Sequence, residues 1–383
     1  MHLGILTGGG DVPGLNSAIK AVVNEAASRG WTVTGFRRGW SGPLRCNPKS
    51  PEESRAHILP LSPSDVRAID RTGGTLLHTS RTQPSKVSYV DLPEFLKRQN
   101  VPTGEPVDCT AHVLSVLEAL QIDVLIAIGG DDTLSYAARL HNEGAAVICI
   151  PKTMDNDVFG TEYCIGFSTC ISRSVELINR LRTPAGSHER FLVVEMFGRN
   201  SGQTALTAGY LTDAHRTLIA EVPVDMEKLA RLLSDDRKLN PSHYAIAVVS
   251  EGASLKGGPI LETGEPDAFG HRKLGGIGIV IGAHLQRLTG VAIMNQSLGY
   301  LLRAGPPDVL DLMVARNFGT MAVRLIEDGK TGLMVAIQDG KYTAVSADIH
   351  TKGKRSVDVP AMYDPETYRP IIAKLPGLPL FPA

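Results

Sequence analysis

The chain has 383 residues, enough for one large or two ordinary domains, with 39 basic and 40 acidic side chains and a net charge of −1. That balance excludes the basic surplus of a nucleic-acid footprint, and no apolar run approaches the ~20 residues of a membrane span. Apolar residues at 43% and aromatics at 5% predict a filled, aliphatic core. Cys46, Cys109, Cys149, Cys164 and Cys170 form no close pair and read as reduced thiols, with neither a zinc knuckle nor a redox motif among them. The opening MHLGILTGGG runs straight into a predicted strand and shows no targeting segment, so a cytoplasmic protein is expected.

Short aliphatic runs alternate with helix-period segments, the pattern of a parallel sheet with crossover helices. LGILT (3–7) reads as a buried strand, NSAIKAVVNEAASRG (16–30) as a helix stopped by Gly30, and WTVTGF as the next strand. Residues 84–110, rich in Pro, Gly and charge, read as a loop. DVLIAIGG (123–130) is a strand, 133–142 a helix and AAVICIP (145–151) a strand. From about 168 the alternation restarts: STCISRSVELINRLR helical, RFLVVEM extended, SGQTALTAGYL helical, HYAIAVVSEG extended. Residues 253–274 read as a second insertion, and the tail after 340 is weakly patterned. The restart predicts an α/β fold of two Rossmann-like lobes with mostly parallel sheets, and a ligand cleft at the strand carboxyl ends.

Three strand-end loops carry candidate chemistry. In LTGGGDVPGLN, successive glycines let the backbone approach an anion, and the following helix offers its amino end, although a plain tight turn fits as well. In IGGDDT, Asp131 and Asp132 stand where a phosphate would be repelled unless a divalent cation lies between them; a helix N-cap pair is the alternative. In CIPKTMDNDVFG, Lys152, Thr153, Asp155 and Asp157 crowd one loop, combining a compact cation for a phosphoryl group, a hydroxyl to orient an acceptor and carboxylates to take a proton. Together they point to phosphoryl transfer.

GGGDVPGLNSAIKAVV, GGTLLHTSRT, IGGDDT, PKTMDND, SHERFLVVEMFGRNSG, VVSEG and LGYLLRAG, spread over roughly residues 1–330, resemble the phosphofructokinase family in order and spacing. The resemblance implies transfer of a phosphoryl group to the C1 hydroxyl of a sugar phosphate, a homodimer or homotetramer with shared active sites, and magnesium. It implies a donor lobe at 1–155, completed by 305–383, and a sugar-phosphate lobe at 156–304. By motif, Gly9, Arg81 and Thr133 would meet the donor and Asp131 would hold magnesium. Asp155 would be the general base, Thr153 would position the acceptor, Asp157 would support the metal, and Arg199 would join the catalytic group. Phe197 and Gly198, with Phe where the family has Met, together with Glu251, Tyr300 and Arg303 would contact the sugar phosphate. Arg190 would reach into a neighbouring subunit's site.

Within the family, ATP users usually carry GGDG. Asp132 in place of that last glycine, with Lys152 where many ATP enzymes have glycine, is similar to the pyrophosphate-dependent branch. The acceptor end departs from the pattern. Met294 stands where an arginine usually grips the far phosphate, and Tyr300 replaces the commoner histidine, so an altered acceptor pocket is expected, with Arg287 a possible replacement. An ATP-dependent enzyme, a relative acting on another sugar phosphate such as sedoheptulose 7-phosphate, and a catalytically weak sugar-phosphate sensor remain alternatives.

Overall fold

The computed structural model describes residues 1–97, 105–258, 262–263 and 273–372. Its strands in chain order are β1 (His2–Thr7), β2 (Thr32–Phe36), β3 (Ile58–Leu61), β4 (Val124–Gly129), β5 (Val147–Pro151), β6 (Phe191–Met196), β7 (Arg216–Leu218) and β8 (Ala245–Ser250). After them come β9 (Glu262–Thr263), β10 (Lys273–Leu274), β11 (Ile293–Ser297), β12 (Leu333–Gln338), β13 (Lys341–Ser346), β14 (Tyr363–Asp364) and β15 (Arg369–Pro370). Seven form one sheet in the order β13-β12-β5-β4-β1-β2-β3, and four form a second in the order β11-β6-β8-β7. The second sheet is parallel throughout, whereas the first turns antiparallel only at its outer pairs, β2–β3 and β12–β13.

β4, β5, β6 and β8 are buried along their whole length. Helices covering both faces of a parallel sheet impose that pattern, which is why these strands read as unbroken aliphatic runs instead of alternating ones. The described structure is thus α/β with two mostly parallel sheets. The predicted helix at 133–142 starts earlier, at Asp131, and the helix expected over 16–30 spans Leu15–Ser28. In the loop expected at 84–110, Val87 bridges Val107 and single turns form at Tyr89–Asp91 and Glu94–Lys97, with 98–104 outside the described residues. Of the insertion expected at 253–274, residues 259–261 and 264–272 also lie outside them.

The weakly patterned tail divides between the two sheets. β13 forms an edge of the first, while Val357, Tyr363 and Tyr368 are buried in the core of the second. The Asp311 carboxylate ties the helix Val309–Glu327 to the turn before the helix Phe167–Ser187. It accepts hydrogen bonds from the Tyr163 hydroxyl, the Gly166 and Thr169 amides and the Thr169 hydroxyl, at 2.6–2.8 Å. All five cysteines are free and buried, and among the described residues no helix is long and apolar enough to cross a membrane.

Candidate active site

The loops that follow β1, β4 and β5 enclose a cavity of about 560 Å³, and those that follow β6, β8 and β11 border a second of about 1030 Å³. Gly9, Gly10, Arg81, Asp155, Arg199 and Arg303 line both, so the two spaces meet at these side chains.

The first cavity gathers Asp131, Asp132, Thr133, Lys152, Thr153 and Asp157. Asp131 and Asp132 are not a helix N-cap pair. Gly130 holds the cap position with no side-chain bond, and the two aspartates are the first residues of the helix Asp131–Asn142. Both line the cavity, at a helix end that favours negative charge. Asp131 Oδ1 is buried without a hydrogen-bond partner, and burial, then the nearby Asp157 carboxylate, push its pKa up to about 7. Gly9 takes a left-handed φ of 77°, and a Cβ on Gly10 would stand 2.3 Å from Arg303 Nη1. The left-handed turn at Gly9 favours glycine, and the bare backbone at Gly10 lets the Arg303 guanidinium lie against the loop.

Lys152 is 3% exposed, and its Nζ donates to the carbonyls of Gly8 (2.9 Å) and Gly10 (2.6 Å). Burial, with Arg303 next in importance, lowers its pKa to about 7. Two of its three N–H donors hold the glycine loop, which leaves one for a ligand. The lysine that sequence places against a phosphate is also the tether of the loop facing it.

Asp155 lies where the cavities join. Its Oδ1 is buried and unpartnered, and burial followed by repulsion from Asp157 raises its pKa above the usual carboxylate range. Burial raises Asp157 too, opposed by its backbone amide, the Lys354 charge, and hydrogen bonds from Asn200 and Thr153.

In the second cavity, Arg303 rests over the Phe197 ring at 4.6 Å and near the Tyr300 ring at 5.6 Å, and the two rings meet edge to face. Burial, opposed by Arg199 and assisted by Glu195, lifts the Glu251 pKa to about 7. Glu195 accepts from the Gly276 and Gly278 amides, a role sequence reasoning missed. Met294 pairs with Leu192 in β11 and packs on the aliphatic core, while Asn295, Gln296 and Ser297 line the cavity. Arg287 is exposed in the last turn of its helix and lines neither cavity, so it does not replace the missing arginine in this chain. Arg190 precedes β6, at the opposite end of the strand from the cleft, and also lies outside both spaces. Gly198 lines neither; its carbonyl accepts from the Ser250 hydroxyl and the Gly252 amide and so fixes the bend that carries Arg199. Sequence reasoning also missed Asn200, His350, Thr351 and Lys354 in the first cavity. Asn200 adjoins a recognised motif, but the other three sit in the weakly patterned tail after 340, which carries no motif.

Among the described residues no three His, Cys, Asp or Glu side chains converge to cage a metal. Asp131, with its orphaned oxygen, and Asp157 suit a cation such as magnesium, which takes one or two carboxylates and fills its remaining positions with water and phosphate oxygens.

The phosphofructokinase family model matches residues 2–326. The chain belongs to the phosphofructokinase family. It is 40% identical over 340 residues to a pyrophosphate–fructose 6-phosphate 1-phosphotransferase of Amycolatopsis methanolica, covering 88% of this chain and 91% of that protein. An ATP-dependent 6-phosphofructokinase of Mycobacterium tuberculosis is 36% identical over 340 residues, with the same 88% and 91% coverage. Among solved structures, a pyrophosphate-dependent phosphofructokinase from Nitrosospira multiformis superposes with a TM-score of 0.76 at 18% identity, over 99% of this chain and 95% of that one, and it supports the phosphofructokinase fold.

Proposed function

We propose that this phosphofructokinase moves a phosphoryl group reversibly from pyrophosphate to the C1 hydroxyl of fructose 6-phosphate, with magnesium. The observation that carries the transfer is Asp155, a buried carboxylate with a free oxygen at the junction of the two cavities. The donor occupies the first cavity and the sugar phosphate the second. The acceptor hydroxyl gives its proton to Asp155 as its oxygen bonds to the terminal phosphorus; the bridging P–O bond breaks and orthophosphate leaves. Thr153 orients the hydroxyl. Arg81, Lys152, Arg199 and Arg303 offset the charge that builds on the transferred group. Asp131, with Asp157 in support, would hold the magnesium, which would supply charge neutralisation for the donor's phosphate oxygens. Glu251, Phe197 and Tyr300 contact the sugar, and Gly198 holds the Arg199 bend.

Pyrophosphate is favoured because Asp132 adds a second carboxylate to the donor cavity, against the α-phosphate of a nucleotide, while Lys152 supplies a cation for a compact donor. The 40% identity to the Amycolatopsis enzyme supports this choice. We further propose a homodimer or homotetramer in which Arg190, remote from its own cleft, serves the sugar-phosphate site of a neighbouring subunit. The deciding experiment is initial rates with magnesium and fructose 6-phosphate, comparing pyrophosphate with ATP. A strong pyrophosphate preference is expected, and equal or better use of ATP would refute the donor assignment.

A further inference from the structure

The donor cavity has a wall that no family motif supplies. His350, Thr351, Gly353 and Lys354 line it, although the family match ends at residue 326. This C-terminal strap is fastened to the catalytic loop along its length. His350 Nε2 pairs with Ser135 Oγ at 2.8 Å, on the same helix as Asp131 and Asp132. The Arg355 amide donates to the Asp157 carbonyl at 3.1 Å, and Arg355 Nη1 donates to the carbonyls of Asn156 and Glu162 at 3.2 and 2.6 Å. Gly353 lies against the Phe159 ring, and Ile349 covers Gly160 so closely that a Cβ there would meet it at 2.6 Å.

Such fastening fixes the backbone on both sides of Lys354 while leaving its side chain exposed at the cavity. Among the described residues no group accepts a hydrogen bond from its ammonium, whereas Lys152 spends two donors on the glycine loop. The Lys354 charge acts on both Asp131 and Asp157, which places it on the metal-facing side of the cavity. A cation held there by a strap anchored at the buried His350 and Arg355, with its N–H donors uncommitted, has the chemistry to bind a polyphosphate.

We propose that Lys354 is a donor-binding residue, carried into the site by the strap 349–355, whose ammonium grips the polyphosphate donor beside Asp131 and Asp157. The inference rests on the reading that the phosphoryl donor fills this cavity.

The test is calorimetric binding of magnesium pyrophosphate, and separately of magnesium ATP, to the full-length protein and to Lys354→Met and Lys354→Arg, with donor and acceptor KM measured beside it. For Lys354→Met we expect donor affinity to fall about tenfold, acceptor KM to stay within about twofold and thermal stability to hold, with Lys354→Arg recovering most of the loss. If the wild type binds ATP and not pyrophosphate, the pyrophosphate reading fails. The Lys354 inference fails separately if Lys354→Met holds whichever donor the wild type binds with unchanged affinity, or if acceptor KM rises in parallel with donor Kd.

Discussion

The guanidinium carbon of Arg303 lies 4.6 Å from the centre of the Phe197 ring, and the same ring meets Tyr300 edge to face. Two of the positions that depart from the family pattern, Phe for Met and Tyr for His, are therefore one aromatic clamp on a shared arginine. Cation–π contacts contribute ~0.5–2 kcal/mol, so Phe197→Leu should raise the acceptor KM roughly three- to tenfold while Phe197→Tyr stays near wild type. Initial-rate kinetics at saturating donor checks this, and an unchanged KM in the leucine variant would remove the clamp from acceptor binding.

Asp155→Asn should lower kcat by ~10²–10⁴, the usual range for a positioned base. Because the substitution keeps the side chain's shape, acceptor affinity measured by calorimetry should change little. A kcat loss below threefold would take proton transfer away from Asp155.

Asp132→Gly should raise the ratio of ATP to pyrophosphate use, and adding Lys152→Gly should raise it further. The lysine also holds the carbonyls of Gly8 and Gly10, so the double variant should melt at a lower temperature than Asp132→Gly alone. A donor ratio that stays put in both variants would mean that neither residue selects the donor.

The ligand-free enzyme should lose stability as pH rises. Asp131 and Glu251 have pKa values near 7 in the fold, above those of an unfolded chain. The folded state thus holds protons that the unfolded state releases above about pH 4, and the stability they confer is full below that pH and lost as pH climbs through about 7. Thermal melts at pH 5 and pH 8 should show this decline in the wild type and a shallower one in Glu251→Gln. Magnesium pyrophosphate should offset part of it at pH 8 by charge neutralisation. Parallel slopes in wild type and Glu251→Gln would contradict the assignment for Glu251.

Asp311→Ala should cost about 3–5 kcal/mol, because four buried donors lose one acceptor together. Denaturant unfolding measures it, with Asp311→Asn expected between the alanine variant and wild type. A cost under 1 kcal/mol would show that the turn at 163–169 holds without this carboxylate.

The alternation of buried aliphatic strands with amphipathic helices was legible from residue order because periodicity is local: β1, β4, β5, β6 and β8 fall on the runs LGILT, DVLIAIGG, AAVICIP, RFLVVEM and HYAIAVVSEG. Strand-end loops were legible for the same reason, since a parallel sheet brings its carboxyl ends to one side. Gly9, Asp131, Lys152 and Asp155 therefore read as one group from residue order alone.

What the chain order by itself determined is the fold class, the family and the loops in which phosphate chemistry sits, all written in short contiguous segments. Tertiary structure alone decided that Lys152 tethers the glycine loop, that Phe197 and Tyr300 share Arg303, and that residues 349–355 wall the donor cavity. Each joins groups far apart in sequence, and the KGKR stretch of the weakly patterned tail acquires its place only when Arg355 is buried against the carbonyls of Asn156 and Glu162. No local pattern encodes that pairing, because its driving force is the satisfaction of buried polar groups by whichever segment the folded chain delivers there.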